Sequence, residues 1–441
     1  MTRTKPTDRA LLPKGMATLL PADAAVRRRL ERSAFDVFRS WGYEEIITPL
    51  FEYLDVITPG LGPGLVDKTY TVADRSTGRL MVLRPDVTPQ IARMAATVLR
   101  DAPKPLRLCY GANVFRYEDE HAGHEREIFQ LGAEYIGPSD PSADAEVLAV
   151  AVDLLGRFGV KGATAVVGHV GFFLGWLAEA DLSPDRAHDL EEAVAKKDRS
   201  AVIALLVAGG RSRAAAIRLA GLLDLIGASD VLDRAAAVVD NPPARHAIAS
   251  LRDIALQARE YGIADALVFD LAEIRGREYY SGLIFDLFAD GVGYEIGRGG
   301  RYDELIGRFG APTPSTGFAI HVERLQQSLG RTADRPAPSA IDALVVASDG
   351  ARGAIRLAGR LRRAGLRVAL WTATDGEPLA YAKRSGIPWL LAPGPSGDRV
   401  AMTATTTNRI KRVAVRACLA ALAAPRGQRR GGRPAARKGT R

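Results

Sequence analysis

The region from Arg275 to Arg324 constrains the fold of this chain more than any other stretch. It reads RGREYYSGLIFDLF, then GRGGRYDELIGRFG, then GFAIHVERL. Two adjacent tyrosines follow an Arg-Gly pair, and after them come a predicted strand, a glycine-rich turn and a glycine-opened segment that ends in Glu-Arg. An upstream segment, FRYEDEHAGHEREIFQLGAEY, is also rich in charged and aromatic residues. These segments carry the polar residues on which the prediction of a binding site rests.

Length and composition restrict the class of protein. At 441 residues the chain has room for two or three domains, and 47% hydrophobic and 25% charged residues are usual for a globular protein. No run of about 18 apolar residues occurs, so we expect no membrane span. The N-terminal segment lacks the apolar core of a secretory signal. Two cysteines, Cys109 and Cys418, exclude a disulfide framework or a four-thiolate zinc site, so we expect a cytoplasmic protein.

The net charge of +9 is concentrated at the C-terminus. Residues 425–441 contain seven basic and no acidic residues, and subtracting these seven leaves +2 for the rest of the chain. Such a tail is typical of a disordered, solubilising terminus, and it could equally contact RNA or DNA phosphates. Both interpretations stay open from the sequence.

Apolar spacing predicts a mostly sheet-based N-terminal region. A helix over Pro21 to Trp41 ends at Gly42, and a strand over Tyr43 to Thr48 ends at Pro49. The remaining predicted elements are a hairpin over Lys68 to Leu83, strands over Leu106 to Tyr117, Ile128 to Ile136, Leu267 to Leu271 and Leu283 to Phe288, and a helix over Asp144 to Phe158. Residues 172–262, rich in Ala, Leu and Arg, predict a helical insertion.

The C-terminal part predicts a separate domain. A Pro- and Ala-rich linker over 330–340 follows a first domain over 1–329. Strands and helices then alternate over 341–424, which indicates a small parallel α/β domain. The strand pattern weakens near its end, and we expect the last strands to be lost in AMTATTTNRI. The predicted fold class of the whole chain is α+β.

Seven residues occur in the order found in histidyl-tRNA synthetases. They are Asp86, Arg116, Gln130, Glu134, Arg275, Tyr279 and Tyr280. The resemblance covers roughly Leu12 to Leu329, and the ordered set is far more specific than any one of its members. It implies the antiparallel sheet of class II aminoacyl-tRNA synthetases, and for 341–424 a domain resembling their anticodon-binding domain.

The resemblance implies a pocket for free histidine, which must hold an ammonium group, a carboxylate and two ring nitrogens. Unsatisfied buried polar groups cost about 1–3 kcal/mol each, so every group needs a partner. Asp86, Thr88 and Gln130 are the candidates for the ammonium group, and Arg275 for the carboxylate.

The imidazole ring has its own predicted partners. Glu134 and Tyr280 are the candidates for the two ring nitrogens, with Tyr279 packed beside them. Gln130 and Glu134 are four residues apart, and on a strand they point to the same face. We therefore expect them in one pocket.

The nucleotide part of the synthetase pattern is altered. Arg116, Glu118 and Arg324 are kept, but His124 replaces an arginine that the resemblance assigns to ATP phosphates. His321 replaces a glycine where a ligand would approach the backbone closely. Two changes at one substrate predict a vestigial nucleotide site formed by Arg116, Glu118, His124, His321 and Arg324.

Several longer phrases resemble a paralogous family, the regulatory subunits of ATP phosphoribosyltransferase. They are LRPDVTPQIARMAATVLRD, LCYGANVFRYE, PSADAEVLAVAVDLL and GHVGFFLGWL. This resemblance implies a non-catalytic protein without cofactor that activates a short catalytic subunit and mediates L-histidine feedback in the first step of histidine biosynthesis. It also implies a hetero-octamer. The helix and strand of Pro21 to Pro49 resemble motif 1 of class II synthetases, which implies a self-dimer through this unit.

Two alternatives remain. The additional C-terminal domain is unusual for the regulatory family and favours a histidyl-tRNA synthetase, which would bind tRNA. An RNA-binding protein acting through the basic tail rests on the tail alone. His121 and His124 with nearby acidic residues are typical of a solvated loop, since no second ligand group is identifiable, so we expect no metal.

Overall fold

The computed structural model describes residues 12–117, 125–274, 279–330, 341–347, 351–372 and 376–423. The chain divides into two compact units, Met1–Arg331 and Thr332–Arg441. The division falls inside the predicted linker.

A nine-stranded sheet forms the centre of the first unit. Its order is β1-β5-β6-β12-β11-β10-β7-β9-β8. The strands in that order are β1 (Glu44–Glu45), β5 (Leu106–Phe115), β6 (Glu127–Ile136), β12 (Ser315–His321), β11 (Gly297–Arg301), β10 (Leu283–Phe288), β7 (Thr164–His169), β9 (Leu267–Asp270) and β8 (Ile226–Gly227). All pairs from β5 to β7 are antiparallel, which agrees with the predicted sheet.

The strand predicted over Tyr43 to Thr48 is shorter in the structure. Only Glu44 and Glu45 pair with β5, and they do so in parallel. Ile47 beyond them is 85% exposed, so its side chain receives no packing from the sheet. The strand was predicted too long because apolar residues such as Ile47 were expected to pack, and the sheet offers them no surface.

Two long helices pack on this sheet. Helix α1 (Pro21–Ser40) buries Leu30, Ala34, Val37 and Phe38. Helix α5 (Pro141–Phe158) begins three residues before its predicted start because the Asp140 side chain accepts a hydrogen bond from Ser142 N and Pro141 occupies the first turn. It ends at Gly159, whose φ of 75° suits a residue without a Cβ.

A small sheet precedes the main one and leads into the site. Its order is β2-β4-β3, with β2 (Phe51–Tyr53), β3 (Tyr70–Ala73) and β4 (Leu80–Leu83). Asp74 closes the predicted hairpin turn, accepting from Gly78 N at 2.7 Å. The helices of this region are α2 (Leu54–Ile57), α3 (Pro63–Val66) and α4 (Thr88–Ala96).

The insertion is helical, as its composition indicates, apart from the two residues of β8. Its helices are α6 (Val170–Ala180), α7 (Pro184–Ala195), α8 (Arg199–Ala208), α9 (Arg213–Ala220), α10 (Val231–Val238) and α11 (Pro242–Glu260). Trp176 is fully buried and donates to Leu219 O at 2.9 Å, which joins two of these helices. Helix α12 (Val322–Ser328) follows β12 and ends the described part of this unit's secondary structure.

The second unit has a five-stranded sheet in the order β14-β13-β15-β16-β17. Its elements are β13 (Ala343–Val346), α13 (Ala351–Arg363), β14 (Val368–Trp371), α14 (Pro378–Arg384), β15 (Trp389–Pro393), β16 (Arg399–Ala404), β17 (Ile410–Ala414) and α15 (Val415–Ala423). The first three strands are parallel, as predicted.

The prediction that the last strands are lost in AMTATTTNRI is wrong. Strands β16 and β17 form there and pair antiparallel, so the sheet is mixed and not purely parallel. Val400 and Met402 alternate into the core with more exposed neighbours, which is the period of a strand with one buried face. Asn408, with φ of 55°, lies in the connection. The threonine-rich composition concealed this alternation.

No helix in the described ranges has both the length and the apolarity needed to cross a membrane.

Candidate functional site

Three neighbouring strands form the floor of a cavity in the first unit. Side chains of β6 and β12 that are two residues apart share one face. In register, Glu134 lies opposite Gly317, Gly132 opposite Ala319, and Gln130 opposite His321. On the far side of β12, Gly300 and Arg298 of β11 continue the same two rows beside Gly317 and Ala319.

Glycines on this floor leave room for larger polar side chains. A methyl group on Gly317 would overlap the Glu134 carboxylate, and one on Gly132 would overlap the Tyr110 ring. Gly300 makes the same allowance for the ring of Tyr280. The floor is thus shaped so that an acid and two tyrosines sit against bare backbone.

The cavity above this floor has a volume of about 430 Å³. Its lining residues come from the floor strands, from the segment near α3 and from both sides of β10. They are Gly62, Leu65, Lys68, Asp86, Arg116, Gln130, Tyr279, Tyr280, Glu295, Gly297, Arg298, His321 and Arg324. We call Asp86, Gln130, Tyr279 and Tyr280 the acidic end, and Arg116, Arg298, Arg324 and His321 the basic end.

Asp86 and Gln130 are held in a hydrogen-bonded arrangement at the acidic end. Asp86 Oδ1 accepts from Val87 N at 2.8 Å. The orientation of the Gln130 amide follows from its neighbours: its nitrogen donates to Asp86 Oδ1 at 3.1 Å and its oxygen accepts from Arg116 Nη2 at 3.2 Å. Asp86 Oδ2 lies 3.6 Å from Arg116 Nη2. The result is a positioned carboxylate, which suits a ligand ammonium group.

Glu134 and Thr88 lie behind the acidic end. Among the described residues that line the cavity, neither is present. Glu134 is completely buried and accepts hydrogen bonds from Thr88 Oγ1 at 2.6 Å and from the Tyr302 hydroxyl. Burial raises the pKa of Glu134 to about 8, although both hydroxyl donors act in the opposite direction. The prediction that Glu134 contacts an imidazole stays a prediction.

Three tyrosines pack together beside Glu134. The Tyr279 ring lies 5.2 Å from that of Tyr280 in an edge-to-face contact and 5.5 Å from that of Tyr302. The Tyr279 hydroxyl is buried and has no hydrogen-bond partner among the described residues. Burial raises the pKa of Tyr279 well above its ordinary value, so the group is a neutral donor. An unpaired buried donor of this kind is a candidate for contact with a ligand.

The guanidinium groups of the basic end are anchored by carboxylates or carbonyls. Arg116 Nε donates to Pro85 O at 2.7 Å, and Arg324 Nη1 donates to the carbonyl and to Oε1 of Glu295, both at 2.8 Å. Arg298 Nε donates to Asp286 Oδ1 at 2.7 Å. These contacts fix several positive charges around one part of the cavity.

His321 lies among these arginines at the end of β12. Its Nδ1 is buried and has no hydrogen-bond partner among the described residues. Burial, and then the charges of Arg116, Arg324 and Arg298, hold the pKa of His321 well below 6.5. The ring is therefore neutral near pH 7, and it occupies cavity wall where the synthetase pattern has glycine.

The structure brings most of the predicted residues together. Asp86, Gln130, Tyr279 and Tyr280 line the same cavity as Arg116, His321 and Arg324. Arg275, Glu118 and His124 lie outside the described residues. Within the described part of the chain, no cluster of three His, Cys, Asp or Glu residues could hold a metal ion.

Sequence reasoning missed residues of the site itself. Tyr302 and Arg298 are not among the predicted site residues, because the sequence presents GRGGRY only as a glycine-rich turn, yet Tyr302 holds Glu134 and Arg298 lines the cavity. The available signal was the alternation of β11, in which Arg298 and Gly300 share a face. Tyr110, opposite Gly132 in register, could have been found in the same way.

Comparison with known proteins shows which family this chain resembles. The histidyl-tRNA synthetase family profile matches residues 15–325. The chain is 39% identical over 370 residues to an ATP phosphoribosyltransferase regulatory subunit of Syntrophotalea carbinolica, covering 84% of this chain and 86% of that protein. It is 39% identical over 393 residues to that of Geobacter sulfurreducens, covering 88% and 89%.

Solved structures agree with the fold. A crystal structure described as an ATP phosphoribosyltransferase regulatory subunit/histidyl-tRNA synthetase from Bacillus halodurans C superposes with a TM-score of 0.77 at 28% identity, covering 84% of this chain and 95% of that one. Histidyl-tRNA synthetase from Nostoc sp. PCC 7120 has the same TM-score at 20% identity, covering 93% and 98%, and supports the fold alone. The predicted class II synthetase-like fold is confirmed, and the chain belongs to the histidyl-tRNA synthetase-like family of ATP phosphoribosyltransferase regulatory subunits.

Proposed function

We propose that this regulatory subunit is non-catalytic, activates a short ATP phosphoribosyltransferase catalytic subunit, and senses L-histidine in the cavity of the first unit. The observation that carries the proposal is the contrast within that cavity. Its acidic end keeps a positioned carboxylate, an amide and two tyrosines, while a buried imidazole, His321, has entered its basic end.

The acidic end offers the polar partners that free histidine requires. Asp86 and Gln130 suit the ammonium group, with Thr88 close behind them. Tyr279 and Tyr280 line the cavity where a ring with two nitrogens would lie, and Glu134, proposed to contact that ring, lies behind them. A buried acid is costly unless its polar atoms are paired, and a ligand nitrogen would give Glu134 a third hydrogen-bond partner. Arg275, predicted for the ligand carboxylate, remains part of the proposal from its sequence position.

The basic end fits a vestigial nucleotide site. Arg116 and Arg324 are retained but bound to Pro85 and Glu295. His321 adds a ring to the wall where adenosine would approach the backbone, and its neutral state contributes no charge toward phosphates. Loss of ATP binding would leave a protein that recognises histidine without activating it.

Feedback inhibition by histidine would follow from thermodynamic linkage between histidine binding and the state of the assembly. Histidine shifts the assembly from an active to an inhibited state only if it binds the two states with different affinity. We propose L-histidine as the effector, the catalytic subunit as the partner, a hetero-octamer as the assembly, and the cytoplasm as the location.

A self-dimer belongs to the same proposal. Ile47 is 85% exposed, and Leu50 and Phe51 are each 41% exposed, directly after α1 and β1. A cluster of exposed apolar residues next to the predicted interface supports burial against a second copy. Light scattering of the isolated subunit at micromolar concentration should give a dimer, and a monomer would count against this part.

The experiment that tests the proposal is reconstitution. The subunit is co-expressed with the short catalytic subunit of its own genome, and the complex is isolated by size exclusion. We expect phosphoribosyltransferase activity only in the complex, and inhibition of that activity by L-histidine. A catalytic subunit that is equally active alone, or a complex indifferent to histidine, would contradict the proposal.

A second candidate, histidyl-tRNA synthetase, is favoured by one observation. The second unit has all five strands and closes with α15, so the domain that would contact tRNA is more complete than its sequence predicted. Histidine-dependent exchange of pyrophosphate into ATP, followed by charging of tRNA, would establish this candidate. We expect neither reaction.

A further inference from the structure

Arg298 differs from the other two arginines of the basic end in how much of it faces the cavity. Its side chain is 36% exposed, whereas those of Arg116 and Arg324 are 19% and 13% exposed. Arg116 is engaged by Pro85, Gln130 and Asp86, and Arg324 by Glu295, as described above. The Nη1 of Arg298 makes no hydrogen bond to a described residue. Among the described arginines that line the cavity, Arg298 thus has the most donor capacity left for a ligand.

Asp286 fixes the orientation of this guanidinium. It lies opposite Arg298 in the β10–β11 register and is almost completely buried. Its carboxylate accepts from Arg298 Nε at 2.7 Å and from Nη2 at 3.4 Å. An arginine presents two edges with donors, and Asp286 occupies the Nε edge. The other edge, with Nη1, remains for a second carboxylate in the two-pronged geometry that guanidinium groups favour.

The floor places Arg298 at a suitable position relative to the acidic end. Arg298 lies in the same row as Ala319 and Gly132, one row from the Gly317 and Gly300 backbone that adjoins Glu134. Successive rows on a strand are about 6.6 Å apart, a distance comparable to the length of a small amino acid. Beside Arg298 this row carries only the methyl group of Ala319, and the Tyr110 ring covers the row at Gly132.

We propose that Arg298, together with Arg275, binds the carboxylate of the amino-acid ligand whose ammonium group Asp86 and Gln130 hold. This assignment rests on the proposed function, that the cavity binds L-histidine. A fixed cation, Arg298, and a fixed anion, Asp86, line the same cavity, and this pair of charges matches a zwitterion. The assignment predicts that the protein distinguishes histidine from its decarboxylated form, histamine, which keeps the ring and the ammonium group.

Calorimetry with both ligands tests the assignment. Wild-type protein should bind L-histidine at least about tenfold more tightly than histamine, since charge-assisted hydrogen bonds are the strongest of their kind. The double variant Arg298→Gln/Asp286→Asn replaces the ion pair by two amides, so neither charge of this pair is left buried without the other. It should lose the preference for histidine while its affinity for histamine changes less than about threefold.

Two further variants control for folding and for position. Arg298→Lys keeps a charge beside Asp286 but offers no second edge, and it should lose most of the preference. Arg324→Gln, in the same cavity but bound to Glu295, should keep it. Thermal unfolding checks that each variant is folded.

The outcomes separate this assignment from the proposed function. A wild-type protein that binds both ligands equally, or an Arg298 variant that keeps the preference or weakens both ligands alike, would overturn the role of Arg298 while histidine sensing stands. A preference carried by Arg324 or Arg275 instead would do the same. Wild-type protein that binds neither ligand would overturn the proposed function and this assignment with it.

Discussion

The two ends of the cavity depart to different degrees from the pattern of histidyl-tRNA synthetases. At the acidic end, Asp86, Gln130, Tyr279 and Tyr280 stand together, and the glycines of the floor still make room for their neighbours. At the basic end, three arginines line the cavity together with His321, an imidazole where the synthetase pattern has glycine. The difference supports the proposed function: His321 fills the wall proposed for adenosine, whereas Asp86, Gln130 and Arg298, the proposed partners of an amino acid, still line the cavity.

Filling the acidic end should have the largest effect. Gly317→Ala would place a methyl group against the buried Glu134 carboxylate. Overpacking of this kind costs about 1–3 kcal/mol, and histidine binding should be lost because Glu134 and Tyr302 must move. Thermal unfolding and calorimetry provide the measurements. Gly156→Ala is the matched control, because nothing lies within 4 Å of its added methyl in α5; it should be neutral or slightly stabilising. Normal histidine binding by Gly317→Ala would show that the binding of histidine does not depend on the space Gly317 leaves for the Glu134 carboxylate.

Removing Glu134 should have the next largest effect. Glu134→Ala should weaken histidine binding by roughly 1–3 kcal/mol, the cost of leaving a buried ring nitrogen without its hydrogen-bond partner. Feedback inhibition of the complex should then require more histidine, while basal activation survives. Glu127→Ala is the control, because Glu127 lies on the opposite face of the same strand and is hydrogen-bonded to Asn113. A complex with this variant should be inhibited by the same histidine concentration as wild type.

If Glu134→Ala binds histidine and is inhibited as wild type is, the cavity is not the sensor. Histidine would then act at another surface, and the acidic end would owe its shape to folding alone.

The pH dependence of stability should reveal the burial of Glu134. Its pKa rises from an ordinary 4.5 to about 8 in the folded protein. Between these values the folded state holds a proton that the unfolded state has lost, so stability falls as the pH rises. The substituted side chain of Glu134→Gln does not titrate. The melting temperature of this variant minus that of wild type should therefore increase as the pH rises from about 4.5 to about 8. A difference that is constant with pH would show that Glu134 titrates normally.

The basic tail should have the smallest effect. Residues 425–441 lack apolar periodicity and carry seven basic groups without an acid, so they cannot bury a core. Deleting them should leave the melting temperature and the activation of the catalytic subunit unchanged. Loss of either would show that the tail docks at a specific place.

The sequence predicted the acidic end better than the rest of the site. Gln130 and Glu134 were placed on one face because a strand alternates with a period of two, and they do share that face. Partners from distant segments were harder to find. The bond between Tyr302 and Glu134 joins residues 168 positions apart, and only the register of β12 between β6 and β11 brings them together.

The fold shows the same limit. Long amphipathic helices such as α1 were predicted closely because their apolar residues repeat regularly. Short strands depend on their neighbours: β1 is only two residues long, and β16 is present although threonines obscure its pattern. Pairing across a sheet is decided by tertiary contacts that a single segment does not encode.

The most direct test of the contrast between the two ends is a calorimetric titration of the isolated subunit, first with L-histidine and then with magnesium-ATP. We expect saturable heat from histidine and none from ATP, because His321 fills the wall of the basic end. His321→Gly, which restores the glycine of the synthetase pattern, should leave histidine binding nearly unchanged. Saturable binding of ATP to the histidine-loaded wild-type subunit, or absence of histidine binding, would contradict the account.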